Sequence, residues 1–197
     1  MGKLTFILGG ARSGKSRFAE QLAARYQTVT YLATGQVTDA EMAERIARHR
    51  AGRPAHWRTV EEAFHPAAAI DRAGGGVILL DCVSFLVSNH LLRNEQACEE
   101  NVLRELDALL ALGPDVIAVS NEVGMGVVPE HRLGRLFRDV LGRVNQHLAA
   151  RAEEAFVCWA GIPVEIKRLA AASHGTVASG GVASGGVAPG EGVGNGG

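Results

Sequence analysis

The chain has 197 residues, 20 basic and 21 acidic, a net charge of -1 and 47% hydrophobic side chains. That length and apolar content suit one globular domain, and the balanced charge argues against nucleic acid or an anionic membrane as the main partner. Aromatic residues make up 5%, too few for a base-stacking platform. No uninterrupted apolar run approaches the roughly 20 residues that cross a bilayer. The amino-terminus opens directly on a strand pattern, so no signal peptide is expected. Cys82, Cys98 and Cys158 lack the spacing of a zinc site or a disulfide framework, which favours reduced thiols and a cytoplasmic setting.

Taken in chain order, short apolar runs alternate with amphipathic stretches. Leu4–Leu8 predicts a strand, Gly9–Ser16 a glycine-rich loop and Arg17–Tyr26 a helix. Val29–Ala33 predicts the second strand, and Asp39–Arg50 a helix with Thr38 and Asp39 as caps. Val77–Asp81 is a third strand pattern, followed by a helix over Glu99–Leu112, a strand over Val116–Ser120, a helix over Arg132–Arg151 and a strand over Ala155–Trp159. The strand patterns are apolar on both faces, as in buried parallel strands. Strands alternating with helices predict a doubly wound, mainly parallel α/β sheet, with ligands beyond the carboxyl ends of its strands. The body is expected to span 1–169. From Ala170 the composition collapses to Gly, Ala, Val and Ser, with Val177–Gly181 repeated as Val182–Gly186. Such a segment cannot offset its ordering entropy by burial, so 170–197 reads as a disordered tail.

The loop after the first strand carries the clearest chemistry. Gly9-Gly10-Ala11-Arg12-Ser13-Gly14-Lys15-Ser16 fits the Walker A pattern of P-loop NTPases, between the strand and helix that the motif requires. Its glycines let backbone N–H groups curl round an anion, and the following helix presents its positive end. Lys15 supplies a charge for the β- and γ-phosphates and Ser16 a hydroxyl for Mg2+. Asp81, ending the Val77–Asp81 strand, is the expected second magnesium ligand. The competing reading makes it a capping residue.

A second segment needs a different explanation. Met42, Ile46 and His49 share a helical face by spacing, and His49 is flanked by Arg48 and Arg50, with Arg53 close behind. Neighbouring cations favour a neutral, nucleophilic imidazole and attract a polyphosphate. The bland alternative is a half-buried helix histidine among solvated arginines.

A wider set of motifs joins these segments. It comprises Gly9–Ser16; Arg45-Ile46, His49, Gly52-Arg53-Pro54 and His56–Glu61; Leu80–Ser84 and Ser88-Asn89; Ser120–Glu130; Arg138-Asp139 and Gly142–Gln146; and Ala160–Pro163. Together they resemble the bifunctional adenosylcobinamide kinase/adenosylcobinamide-phosphate guanylyltransferase family of cobalamin synthesis, over about residues 3 to 167. The resemblance implies two reactions. A nucleoside triphosphate, ATP or GTP, phosphorylates the aminopropanol hydroxyl of adenosylcobinamide. GTP then donates GMP to that phosphate through a covalent histidine intermediate, at the position of His49. It also implies that Thr34, Gly35, Gln36, Arg50, Ala51, Gly52, Arg53 and Glu61 belong to the nucleotide site, and that the protein is a homo-oligomer, a trimer.

Other residues carry weaker signals. Thr34–Gln36 also reads as a turn, and Glu61 as a solvated acid beside Glu62. Asn121 and Glu122 end a strand at the ligand-binding edge, where Glu122 would orient a substrate or act as a base. Arg132, Arg135, Asp139, Arg143 and Gln146 form a polar helix stripe, either solvent-facing or, on the resemblance, a corrinoid or subunit contact. Trp57 and Trp159 read as packing residues. Two rivals stand beside the main reading. A single-activity small-molecule P-loop kinase would not depend on His49. A GTP-binding switch should carry a guanine-reading Asn-Lys-x-Asp string, which the sequence lacks.

Overall fold

The computed structural model describes residues 2–36, 39–70 and 76–175, without the side chains of residues 41, 42, 45, 48, 49 and 171–175. Its strands are β1 (Leu4–Gly9), β2 (Val29–Ala33), β3 (Arg58–Glu61), β4 (Val77–Asp81), β5 (Asp115–Asn121), β6 (Glu154–Trp159) and β7 (Ile162–Glu165). Its helices are α1 (Lys15–Ala23), α2 (Ala40–Ala51), α3 (Pro66–Ala69), α4 (Val83–Arg93), α5 (Cys98–Leu110), α6 (Arg132–Arg151) and α7 (Ile166–Gly175). The strands form one sheet in the order β3-β2-β4-β5-β1-β6-β7. Every neighbouring pair is parallel except β6 with β7. The doubly wound parallel architecture expected from the sequence is the one observed.

Parallel strands must be covered on both faces, and this sheet divides the apolar residues accordingly. Alternate positions of β1 go to opposite sides. Leu4 and Phe6 join a cluster with Leu86 of α4, Leu106 of α5, and Leu141 and Leu148 of α6. Ile7 joins Ala19 and Ala23 of α1, Tyr31, Trp57, Leu79 and Ile117. One face is thus capped by α1 and the other by α4, α5 and α6. The helices obey the same rule with their own period. In α6, Val140, Leu141, Val144 and Leu148 are buried, and in α5, Val102, Leu106 and Leu109.

Several elements lie beyond the sequence expectations: β3, α3, α4, β7 and α7. Of these, α4 follows β4 after a single residue and buries Val83, Leu86, Val87 and Leu91 at helical spacing. Helix α7 runs Ile166–Gly175, so the regular structure continues past residue 169 into the segment expected to be tail. Residues 176–197 and the cap residue Thr38 lie outside the described residues. Trp57 packs in the core at 7% exposure, as expected. Trp159 does not, being 66% exposed near the β6–β7 turn, because it ends β6 one residue beyond the last pair with β1, Gly9 with Cys158, and pairs only with Ile162 of β7. Among the described residues no helix is long and apolar enough to cross a membrane.

Leu141 is fully buried on α6, within the larger cluster. Leu141→Ala should lower unfolding stability by about 2–5 kcal/mol, measured by urea denaturation, with no change in nucleotide affinity.

Candidate active site

The phosphate loop leaves β1 at Gly9 and enters α1 at Lys15. Its curvature depends on two glycines. A Cβ on Gly9 would lie 2.5 Å from Ser13 Oγ and 2.8 Å from Cys158 O. Gly14 has φ 89° and caps α1, and a Cβ there would meet the Cα of Gly161 at 3.1 Å. The loop is braced from outside, since Gly161 N donates to Ser13 O at 2.9 Å. Within it, Ser13 N donates to Gly10 O at 3.3 Å and Lys15 Nζ donates to the same carbonyl at 3.1 Å. The Ser13 hydroxyl is buried with no hydrogen-bond partner among the described residues. Ala11 and Arg12 are exposed at the loop's outer bend, and Arg12 has φ 57°.

Lys15 and Ser16 open onto a cavity of about 540 Å³ whose lining includes Asp81, within the usual size of a small-molecule site. Strand register explains who meets Asp81. Ala33 of β2 pairs with Asp81 of β4, and Tyr31 pairs with Leu79. Tyr31 therefore lies one side-chain repeat before Asp81 on the same face of the sheet. Its hydroxyl donates to Asp81 Oδ2 at 2.5 Å. The Arg53 guanidinium stacks over the Tyr31 ring at 3.5 Å from its centroid. Arg53 Nε is buried and has no hydrogen-bond partner among the described residues. Burial, then the Asp81 charge, push the Tyr31 hydroxyl well above its ordinary range, so it stays a donor. Glu20 of α1 is raised by burial and by Asp81, against the pull of Arg53. Burial and Asp81 also raise the Cys82 thiol to about 11, which leaves it protonated and rules it out as a nucleophile near neutral pH.

The rim is built by hydrogen bonds between element ends. Thr34 is fully buried, and its hydroxyl donates to Cys82 O at 2.6 Å and accepts from Cys82 N at 3.1 Å. It thus ties β2 to the start of α4, while Gly35 and Gln36 line the cavity. Asn89 of α4 donates to Thr34 O and Ala63 O at 2.8 and 2.9 Å. Glu62 accepts from Phe64 N and His65 N at 2.8 and 3.0 Å, bonds that hold its carboxyl below its ordinary range. Glu61 lines the cavity and pairs with Arg50 at 3.6 Å. Asn121 donates to Ser84 Oγ at 2.6 Å, and both residues line the cavity. Glu122 turns back on its own loop and accepts from Gly124 N at 2.5 Å.

His49 is in α2, one turn beyond Ile46, which lines the cavity, and four residues before Arg53, which also lines it. Its side chain lies outside the described residues. Ala51 and Gly52, which close α2 and begin the turn toward Arg53, are exposed. The polar stripe of α6 is engaged within the chain: Arg132 pairs with Glu95 at 2.5 Å, Arg143 with Glu99 at 2.7 Å, and Arg135 donates to Pro129 O at 3.1 Å. Tyr31 and Phe85 are cavity residues that sequence reasoning did not single out, and Ser84 is one that it named only within the Leu80–Ser84 motif, with no role at the site. The sequence signal for Ser84 was its place one helical turn before Ser88, which also lines the cavity. Tyr31 had no signal beyond the parity of its strand.

Because Gly14 has a left-handed backbone and an added Cβ would crowd the Cα of Gly161, Gly14→Ala should weaken nucleotide binding about tenfold or more while the protein stays folded. Equilibrium binding of a fluorescent nucleotide analogue, with circular dichroism as the folding control, measures this.

Comparison with known proteins agrees with this geometry. Residues 5–166 match the family described as cobinamide kinase / cobinamide phosphate guanyltransferase. The chain is 46% identical over 180 residues to the bifunctional adenosylcobalamin biosynthesis protein CobU of Escherichia coli, covering 83% of this chain and 99% of that protein. It is 45% identical over 165 residues to the bifunctional adenosylcobalamin biosynthesis protein CobP of Pseudomonas aeruginosa, covering 82% and 95%. Among solved structures it is similar to the assembled ATPase EscN of the enteropathogenic E. coli type III secretion system, with a TM-score of 0.53 at 13% identity over 79% of this chain and 42% of that one. That last likeness is one of fold alone. The match runs from Thr5 in β1 to Ile166 at the start of α7, and the chain belongs to the cobinamide kinase / cobinamide phosphate guanyltransferase family.

Proposed function

We propose that this chain phosphorylates adenosylcobinamide with a nucleoside triphosphate and then transfers GMP from GTP to the resulting phosphate through a guanylylated His49. The observation that carries the reading is the convergence of Lys15, Ser16, Asp81 and Arg53 on one cavity that also receives α2 through Ile46. In the kinase step the acceptor hydroxyl attacks the γ-phosphorus, loses its proton, and the bond to the β-phosphate oxygen breaks. In the second reaction a His49 ring nitrogen attacks the α-phosphorus of GTP and pyrophosphate leaves. A phosphate oxygen of adenosylcobinamide phosphate then attacks the same phosphorus, the N–P bond breaks and His49 is restored. One cradle serves both reactions because it holds the β- and γ-phosphates, which carry the transferred group in the first and the leaving group in the second.

Ser16 and Asp81 supply hard oxygen donors and suit Mg2+, which keeps several waters and completes its shell with substrate phosphates. The described residues hold no cluster of three His, Cys, Asp or Glu side chains for a metal, in keeping with an ion shared with nucleotide. Bound there, Mg2+ would neutralise charge on the phosphate oxygens. Thr34 supports the site from the scaffold rather than by contact, since its hydroxyl is used on Cys82. Gly35, Gln36, Glu61 and Arg53 face the nucleotide in this reading.

Incubation with α-labelled GTP and Mg2+ followed by denaturation should leave acid-labile, base-stable label on the native chain and none on His49→Ala. Absence of label on folded, GTP-binding protein would remove the histidine intermediate and leave a single-activity kinase. We also read the chain as a homo-oligomer, the trimer that the family resemblance implies. Trp159 and Ile162, 66% and 64% exposed side by side on β6 and β7, offer apolar surface for such a contact. Light scattering should give a mass above the 20.7 kDa of one chain, and a monomer at micromolar concentration would refute it.

A further inference from the structure

The geometry points to Tyr31 as a positioning residue that joins the metal carboxylate Asp81 to the cationic side chain Arg53. The inference rests on the reading of Asp81 as a magnesium ligand. Asp81 is the last residue of β4 and is joined to α4 by Cys82 alone. Tyr31 restrains its carboxylate from the neighbouring strand. It is 2% exposed and held in β2 between β3 and β4, so its hydroxyl is presented from a rigid base. The bond of 2.5 Å to Oδ2 leaves Oδ1 for other contacts.

The same ring does a second task. Arg53 follows the end of α2 in a turn, where Arg53 N donates to Arg50 O at 3.2 Å. Stacking at 3.5 Å on the Tyr31 ring holds its guanidinium against the sheet and inside the cavity, with Nε buried and without a hydrogen-bond partner among the described residues. A planar cation held this way is ready for an anion, and it brings the segment that follows His49 within the same wall as Asp81. Tyr31 thus contributes by two separable parts, its hydroxyl to the metal side and its ring to the polyphosphate side. A tyrosine that merely filled the core would show neither dependence.

The test uses the full chain with a fluorescent GTP analogue and titrates Mg2+, then repeats nucleotide binding in EDTA. Tyr31→Phe should raise the half-saturating Mg2+ concentration about tenfold, the size of one hydrogen bond to a charged group. Its metal-free nucleotide affinity should stay within about twofold, because the ring remains for Arg53. Tyr31→Leu should show the same Mg2+ shift and also a metal-free affinity about fivefold weaker. Asp81→Asn serves as the reference. If it shifts the Mg2+ dependence and Tyr31→Phe does not, the positioning role is overturned. If Asp81→Asn shifts nothing, the reading of Asp81 itself fails and the inference falls with it. A probe independent of substitution at Tyr31 covers loss of fold. The chain has two tyrosines, so in Tyr26→Phe a ring-labelled tyrosine gives one NMR resonance, that of Tyr31. It should move when Mg2+ is added to the nucleotide-bound protein, and an unmoved resonance would overturn the role.

Discussion

Parallel pairing of β2, β4, β5 and β1 is the constraint on which the rest of this molecule depends. It sends the carboxyl ends of these strands to one edge, and it forbids either face of the sheet to meet water. The first consequence gathers Gly9, Ala33, Asp81 and Asn121 along a single rim, since each ends its strand. The second places α1 on one face and α4, α5 and α6 on the other, each with an apolar stripe that matches the strand residues pointing its way. The cavity lies where these requirements meet.

Chemistry at that rim is divided between backbone and side chains. The phosphate loop acts through main-chain shape, which is why Gly9 and Gly14 sit in places where a Cβ would strike Ser13 or Gly161. Opposite the loop, charge is arranged by side chains. Asp81 is accompanied by one donor, Tyr31, and by Arg53 stacked on that donor. The carboxyl of Glu20, on α1, is raised by burial and by the nearness of Asp81. Low dielectric and close charges of both signs are the conditions under which a polyphosphate and a divalent cation are bound together.

Around this centre, polar side chains of the strand ends, of α4 and of α6 tie the elements to one another. Thr34 locks β2 to Cys82, Asn89 locks β2 to the turn after β3, and Asn145 of α6 donates to Asn121 O at 3.1 Å while accepting from Ser120 Oγ at 2.6 Å. Arg132 and Arg143 of α6 pair with Glu95 and Glu99, and Arg135 donates to loop carbonyls. That use accounts for much of the polar stripe, which the sequence alone left open between solvent, substrate and subunit.

The sequence by itself determined what is local. The apolar runs of β1, β2 and β4 and the buried stripe of α6 are legible because burial on both faces, or on one helical face, leaves a period in the chain. The phosphate loop is legible because Gly9 and Gly14 stand where a side chain would clash or strain the backbone, and Asp81 because it stands alone at the end of an apolar strand. The edge elements β3 and β7 were not legible. They are four residues each, with exposed or half-exposed side chains, so neither burial nor period marks them. Helix α4 has no boundary of its own in the sequence, because its apolar residues continue those of β4 almost without a break. Only the tertiary structure decided that Tyr31 meets Asp81, that Arg53 lies on Tyr31, and that the Thr34 hydroxyl bonds the backbone of Cys82. Each of these depends on which strand lies beside which and in what register, and strand order is set by packing across the whole sheet, not by the residues of any one strand.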